Sequence, residues 1–324
     1  MSKVRHIKVI EDDDGQRLDR WIKKRVPEIP YGLAQKLMRQ GQIRVDSKRA
    51  KPDTRLKAGQ DVRIPPVEER LDRKTGKRKL TDKDAALIKS LVIYDDGDVI
   101  ALNKPYDLSV QGGTKTRRHI DGMLDALKDK KGVRPRLVHR LDKDTSGVLL
   151  LARSAQAARA LGEAFKYQKI RKIYWALVKG VPEIREGRIN APLMKGGGRE
   201  KEKMLVDDDE GKSALTDYAV LDHAADQVAF MAFWPRTGRT HQIRVHALTL
   251  GCPILGDGKY GMGDARIEGM KLARRLHLHA QRLVFPHPVT RKMITVSAPL
   301  PDELKNSWKS LGFETNSKED PFGQ

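Results

Sequence analysis

The sequence predicts an α+β protein in two parts, a small helix-and-sheet module followed by a larger domain on a mixed, largely antiparallel sheet flanked by helices. Three observations predict it. Apolar residues near the N-terminus recur at helical spacing and then switch to alternation. Beyond residue 91 the chain breaks into short β-rich runs interrupted by three helical stretches. Several of those runs lie too close together for the crossover helices of a purely parallel sheet. A chain of 324 residues suits one large domain plus a module.

In the first unit, residues 1–66, Leu18, Trp21 and Ile22 follow i, i+3, i+4 spacing. Leu33, Leu37 and Met38 suggest a second short helix, which Gly41 closes. Ile43 and Val45 then alternate with polar residues, as do Val62 and Ile64 before Pro65-Pro66. This unit holds 17 Lys and Arg against 9 Asp and Glu. Its basic residues cluster at Lys36, Arg39, Arg44, Lys48, Arg49 and Lys51, across a helix and the turn after it, a placement suited to gripping RNA. Residues 67–90 are polar around Lys77-Arg78-Lys79 and read as a basic linker. Strands are expected at 91–94, 99–102, 148–152, 174–178, 228–233 and 293–296, and helices at about 119–128, 155–168 and 240–250. The glycines from Lys195 to Arg199 mark a flexible loop. The main domain is expected to run over 91–307, and the tail 308–324 to fray.

Lys and Arg outnumber Asp and Glu by 64 to 43, a formal charge of +21. Such an excess favours a polyanionic partner through counterion release and steering. The one cysteine, Cys252, excludes an intrachain disulfide and a zinc site of paired cysteines. The longest apolar stretch, 228–234, is far short of the ~20 residues that span a bilayer. Glu11, Asp12, Asp13 and Asp14 argue against a transit peptide. A soluble protein of the reducing cytoplasm is expected.

The densest chemistry lies between Leu137 and Arg153. His139, Arg140, Asp142, Asp144, Thr145 and Ser146 crowd a polar loop that runs through Gly147 into an apolar strand. Ser154 then caps a helix starting at Ala155. Polar side chains on a loop anchored by a buried strand are well placed for preorganised chemistry, and the same residue types serve equally well as turn caps. Nine histidines invite a metal reading. His241 and His246 are five apart, however, and no Glu stands beside His241, so the helical zinc pattern fails. Gly256-Asp257-Gly258-Lys259-Tyr260-Gly261 fits a dinucleotide fingerprint formally but lacks the preceding strand and reads as a turn-rich loop. Cys252 reads as a small packed residue, and Trp21, Trp175 and Trp234 as core.

His139-Arg140-Leu141-Asp142 with Thr145-Ser146-Gly147 resembles a signature of the RluA-type pseudouridine synthases. Gly238-Arg239-Thr240-His241-Gln242-Ile243-Arg244-Val245-His246 resembles that family's second basic motif. Arg171-Lys172-Ile173-Tyr174-Trp175-Ala176-Leu177-Val178 is similar to its segment with a base-stacking Tyr. Leu276-His277-Leu278-His279-Ala280 is similar to its late hydrophobic motif, and Asn103-Lys104-Pro105 to its early one. The match runs in order from about residue 90 to 300. The first unit resembles the S4 RNA-binding domain in Arg17-Leu18-Asp19-Arg20, in Arg39-Gln40-Gly41-Gln42-Ile43-Arg44-Val45 and in Lys57-Ala58-Gly59-Gln60-Asp61-Val62-Arg63-Ile64. It departs from that pattern at Tyr31-Gly32-Leu33, where Ser-Arg is usual, and at Asp46-Ser47, where Asn-Gly is usual.

The resemblance implies isomerisation of uridine to pseudouridine in RNA. Uracil is cut from C1′ at N1, turned, and rejoined through C5, so no cofactor or metal is demanded. Asp142 is implied as the catalytic carboxylate, attacking the ribose or the ring or removing a ribose proton. An ionised, desolvated carboxylate needs a cation nearby. Arg244 is expected to supply it as a bidentate pair, from the first turn of a helix capped by Thr240. Tyr174 is expected to stack on the flipped base and to help remove the C5 proton. Arg140 is implied to fill the gap the base leaves, with His139 and Arg239 contacting substrate. Leu278 is expected to wall the pocket, Leu276 being an equal candidate. Lys36, Arg39, Lys48 and Arg49 are expected to hold the RNA backbone.

The partner implied is RNA, not DNA or a membrane, bound by a monomer. Within the family, the S4 unit with Arg49-Ala50-Lys51-Pro52 and Val62-Arg63-Ile64-Pro65-Pro66 is most similar to the large-subunit ribosomal RNA synthases of the C group. The D group is the alternative for the same RNA, free or in a preribosomal particle. Two other functions compete: a non-catalytic S4-type RNA-binding or ribosome assembly factor, and an RNA glycosidase that would need Asp144 as a second carboxylate.

Overall fold

The computed structural model describes residues 4–66, 80–113, 116, 118–200, 203–261, 267, 270–316 and 320–323. The chain divides into two compact units, Met1–Lys77 and Arg78–Gln324.

The first unit contains β1 (Arg5–Lys8), α1 (Leu18–Arg25), α2 (Tyr31–Arg39), β2 (Arg44–Val45), β3 (Lys48–Arg49) and β4 (Asp61–Ile64), with strand order β1-β4-β2-β3. The helices form where the periodicity predicts. Leu18, Trp21 and Ile22 of α1 meet Leu37 and Met38 of α2 and Ile43, Val45, Val62 and Ile64 in one buried cluster. Beneath α1 the buried Asp13 accepts from Trp21 Nε1 at 3.0 Å, Lys24 Nζ at 2.8 Å and Arg25 Nε at 2.6 Å. The Arg25 bond, then Lys24, outweighs burial and holds that carboxyl at about 2. The unusual Asp46-Ser47 turn places both residues at positive φ, 47° and 65°. Asp46 offsets that backbone strain locally, accepting from the Asp61 N–H and from Gln60 Nε2, each at 2.8 Å.

The second unit opens with α3 (Asp82–Ser90), capped by Thr81 Oγ1, which accepts the Asp84 N–H. Residues 82–90 are therefore a helix and not part of a linker. Ile88 is fully buried and Leu87 packs beside it, but so few inward residues among charged neighbours leave little periodicity to read. Residues 67–79 of the expected linker lie outside the described residues.

There follow β5 (Val92–Asp95), β6 (Val99–Lys104), α4 (Ile120–Met123), β7 (Arg136–Leu137), β8 (Ser146–Ala152), α5 (Ala155–Lys166), β9 (Arg171–Lys179), β10 (Glu186–Asn190), β11 (Leu193–Lys195), β12 (Met204–Val206), β13 (Leu215–Ala224), β14 (Val228–Pro235), α6 (Gln242–Thr249), β15 (Leu278–Pro286), β16 (Met293–Ser297) and α7 (Asp302–Ser310). One sheet runs β10-β13-β14-β9-β15-β8-β6-β5, with β16 on β15 and β7 on β8. β15 and β8 pair in parallel and their neighbours antiparallel, so the sheet is mixed as predicted. β11 and β12 form a separate ribbon on either side of the glycine-rich segment.

β8 is buried at every position because both faces of the sheet are covered. Leu149 and Leu151 join Ile100, Leu102, Ile88 and Ile120 on one face. Val148, Leu150 and Ala152 join Val99, Ala101, Ala157 and Leu161 of α5 on the other. Each Leu buried this way contributes roughly 1.5–3 kcal/mol. The other half of the sheet repeats the arrangement, with Ala229, Met231 and Phe233 against Ile243 of α6, and Phe230 and Trp175 against Leu304 and Trp308 of α7. The frayed tail is a second correction. Trp308 is 0% exposed and Phe313 4%, Phe322 packs on Trp234 and Asp320 pairs with Arg171. Trp234 itself is only half-buried, its ring covered by the Arg171 and Arg236 guanidinium groups. No helix among the described residues is long and apolar enough to cross a membrane.

The two halves meet at β9, β15 and β8. Tyr174 packs against the clusters of both, and one transverse row of partners runs Phe233, Tyr174, Ala280, Gly147, Lys104. The loop before β8 opens at this seam.

Candidate active site

The loop that precedes β8 is held from below, from behind and at its base. Lys104, at the end of β6, is fully buried, and its Nζ donates to the carbonyls of Pro105 at 2.8 Å, Leu108 at 2.9 Å and Lys143 at 3.1 Å. Burial, helped by the charge of Arg275, pulls its pKa down to about 7, yet only the ammonium has the three protons these acceptors use. Behind the loop His279 Nε2 donates to Ala298 O, so Nδ1 accepts the Ser146 hydroxyl at 2.9 Å, and Ser146 Oγ in turn accepts from Arg275 Nη2 at 2.8 Å. At the base, β15 pairs with β8 only at Ser146 and Gly147. The Leu150 N–H instead donates to His139 Nε2 at 2.7 Å, with the imidazole stacked on Phe165. Burial and the charge of Lys172 push His139 down to about 3. A neutral His139 is the acceptor this bond requires, so the side chain orients the loop as well as lining the cavity.

Arg244 projects from the first turn of α6. The residue before the helix, His241, sits at φ 54°, and no side chain caps the N-terminus. Thr240 is thus not the cap. Gln242 organises this corner instead: its Oε1 accepts from the Arg239 N–H and the Thr237 hydroxyl, and its Nε2 donates to Leu215 O and Thr216 Oγ1. The expected bidentate pair also forms elsewhere. Arg244 Nε and Nη2 donate to Asp257 Oδ2 and Oδ1 at 2.7 and 2.5 Å. Asp257 is fixed beneath the guanidinium by backbone bonds, which places the fork there and not on the Asp142 loop. Nη1 remains, 3.9 Å from Asp144 Oδ2. Burial opposes the charge of Arg244, but the Asp257 bond, with Asp142 and Asp144 behind it, outweighs burial and raises its pKa.

Between the loop and α6 lies a cavity of about 600 Å³, within the rough 300–1,000 Å³ range of small-molecule sites. His139, Arg140, Asp142, Tyr174, Arg239, Arg244 and Leu278 all line it, as the resemblance implies, whereas Leu276 does not. Burial, then the charge of Asp142, pushes the Tyr174 phenol up. That opposes any duty as a base at the C5 proton and leaves the ring face as its asset. Lys172 shares the cavity, its Nζ 3.1 Å from Thr237 O and its pKa pulled to about 8 by burial. His241 Nδ1 lies 2.8 Å from the Tyr260 hydroxyl, within hydrogen-bonding distance, and burial lowers the His241 pKa. His246 is buried against Thr216 and Ala191 O.

In the first unit Lys36 and Arg39 are exposed on the last turn of α2, and Lys48 and Arg49 on β3. Arg44 and Arg63 join them, donating to the Gly41 and Gln42 carbonyls at the C-terminal end of α2. Sequence reasoning missed Arg63, Lys104, Lys172 and Asp257. The sequence phrases contain all four, but nothing in composition marks a lysine for full burial or a loop aspartate for a fork.

A family profile described as RNA pseudouridylate synthase matches residues 98–249, and one for the S4 domain matches residues 16–62. The chain is similar to a ribosomal large subunit pseudouridine synthase C of Buchnera aphidicola subsp. Baizongia pistaciae, 36% identical over 318 residues, 96% of this chain and 98% of that one. The protein of the same name from Vibrio vulnificus is 35% identical over 319 residues, 96% of this chain and 97% of that one. Among solved structures, human RNA pseudouridylate synthase domain containing 4 aligns with a TM-score of 0.61 and 29% identity, over 72% of this chain and 99% of that one.

Proposed function

Because this chain belongs to the RNA pseudouridylate synthase family, we propose that it converts specific uridines of large-subunit ribosomal RNA to pseudouridine with Asp142 as the reacting carboxylate. The observation that carries this reading is convergence: Asp142, Tyr174, Arg244 and Leu278 come from four separate elements and line one cavity. The C-group specificity rests on near-full-length similarity to relatives of that name.

The target uridine leaves its stack at a cost of a few kcal/mol. The Tyr174 face returns about 1–3 kcal/mol by stacking, Leu278 closes the pocket wall, and Arg140 at the exposed rim fills the vacated place in the RNA. Asp142 attacks the ribose or ring, or takes a ribose proton, as the N1–C1′ bond breaks. Uracil turns, C5 bonds to C1′, C5 loses its proton and N1 gains one, so the base is conserved atom for atom. The S4 unit supplies the grip through Lys36, Arg39, Lys48 and Arg49. The protein acts as a cytoplasmic monomer, on ribosomal RNA either free or in an assembling particle.

Carbodiimide-based mapping of large-subunit RNA, before and after incubation with the protein, tests this reading. Asp142→Asn should abolish product and leave RNA binding nearly intact. Product formed at the normal rate by that variant would refute the assignment of Asp142, and absence of any product with the native chain would favour a non-catalytic RNA-binding role. Release of free uracil would favour a glycosidase using Asp144.

A further inference from the structure

The mechanism asks Arg244 to support Asp142, yet the guanidinium gives its fork to a different carboxylate. Asp257 does not line the cavity, its side chain is fully buried, and it accepts four hydrogen bonds. Two come from Arg244 and two from the N–H groups of Lys259 at 2.9 Å and Tyr260 at 3.0 Å. The Tyr260 ring lies beside the same guanidinium, 5.1 Å away. Arg244 Nη1 is buried and has no hydrogen-bond partner among the described residues, a condition native structures rarely carry without use.

We propose that Asp257 is a positioning residue for the isomerisation, locking Arg244 so that only Nη1 is offered to the Asp142–Asp144 loop. The inference rests on the reading of Asp142 given above. A guanidinium free to turn would take Asp142 in a fork, and both carboxylate oxygens would then be occupied by donors. Held by Asp257, Arg244 can steady one oxygen and leave the other free to react. The Arg244–Asp257 pair is also neutral as a unit, so the arm orients Asp142 without burying an uncompensated charge against it.

The test compares Arg244→Gln, Asp257→Asn and the double variant, reading single-turnover rate on a target RNA fragment and the Kd for that RNA. Asp257→Asn should lose about a hundredfold in rate, the scale of one misdirected electrostatic donor, with Kd changed less than about threefold. Since Asp257 acts only through Arg244, the double variant should match Arg244→Gln. A double variant about tenfold slower than Arg244→Gln, or Asp257→Asn at full rate, would overturn the proposal. Should Asp257→Asn leave Arg244 unpaired and fail to fold, the double variant replaces the buried ion pair with two amides, and the same comparison decides. Asp142→Asn run alongside separates the outcomes: activity there defeats the reading of Asp142, whereas additivity in the cycle defeats only the role of Asp257.

Discussion

Replacing Gly147 with alanine disturbs the active-site row at its narrowest point. Gly147 has φ +116°, and a Cβ built on it would lie 2.2 Å from Ala280 O and 2.7 Å from Ala280 C and N. Two penalties combine. The backbone region disfavours an L side chain by about 1–3 kcal/mol, and relief of the overlap requires β15 to move by about an ångström, an overpacking penalty of roughly 1–3 kcal/mol. Together they predict a loss of about 2–6 kcal/mol, which in a unit of this size lowers Tm by roughly 4–24 °C. Ala280 pairs with Tyr174 on its far side, so the displacement reaches Tyr174 as well as the Asp142 loop. Misplacement on that scale lowers the rate by about 10²-fold. Thermal unfolding with single-turnover kinetics on the variant is the assay. Gly32→Ala serves as control, since that helical position has open space and an ordinary φ. A Gly147→Ala protein with Tm within about 3 °C of the parent and normal turnover would refute the reasoning.

Two further outcomes follow from charge. Burial holds His277 and His279 at about 4 and His139 at about 3, below their unfolded value of about 6.5. The unfolded chain then binds more protons in that window, so stability is intact above pH 6.5 and falls as pH drops toward 4. Denaturant midpoints across that range should show the decline, and His279→Gln should make it shallower; an unchanged slope contradicts the assignment. In the first unit, replacing Lys36, Arg39, Lys48 and Arg49 together with Gln should weaken RNA binding. It should also reduce the slope of log K against log salt by up to about 3.6, at ~0.7–0.9 per lost phosphate contact. An undiminished slope would move the anchor elsewhere.

How much was legible depended on whether a residue's duty is local. The strand 148–152 announced itself, since a run of Val and Leu after a polar loop has few homes other than a strand covered on both faces. Ser154 read as a cap because its partner, the Ala157 N–H, is three residues away. The helix 82–90 did not show, because only its Ile88 stripe faces inward and propensity is weak evidence against a charged background. Asp142, Tyr174, Arg244 and Leu278 came from resemblance; physics alone left Asp142 equally a turn cap. The fork was misassigned for a related reason. An arginine's need for a carboxylate can be read from sequence, but which carboxylate satisfies it is decided where α6 crosses the loop 255–261.

That misassignment changes how the charges of the site are understood. A lone Arg244 under Asp142 would make the carboxylate one half of a closed ion pair. Instead Arg244 is already neutralised by Asp257, and the cation directly beneath the loop is Lys104, whose protons are spent on Pro105, Leu108 and Lys143 carbonyls. Of those bonds, the one to Lys143 fixes the Lys143–Asp144 peptide, one residue beyond Asp142. Lys172, with a single carbonyl acceptor among the described residues and a pKa pulled down to about 8 by burial, lines the cavity itself. Cations thus hold the frame and the rim, and each has another partner. Asp142 lines the cavity with no cation bonded to its carboxylate among the described residues, and the proposed reacting role calls for a carboxylate that is supported but not claimed by a fork.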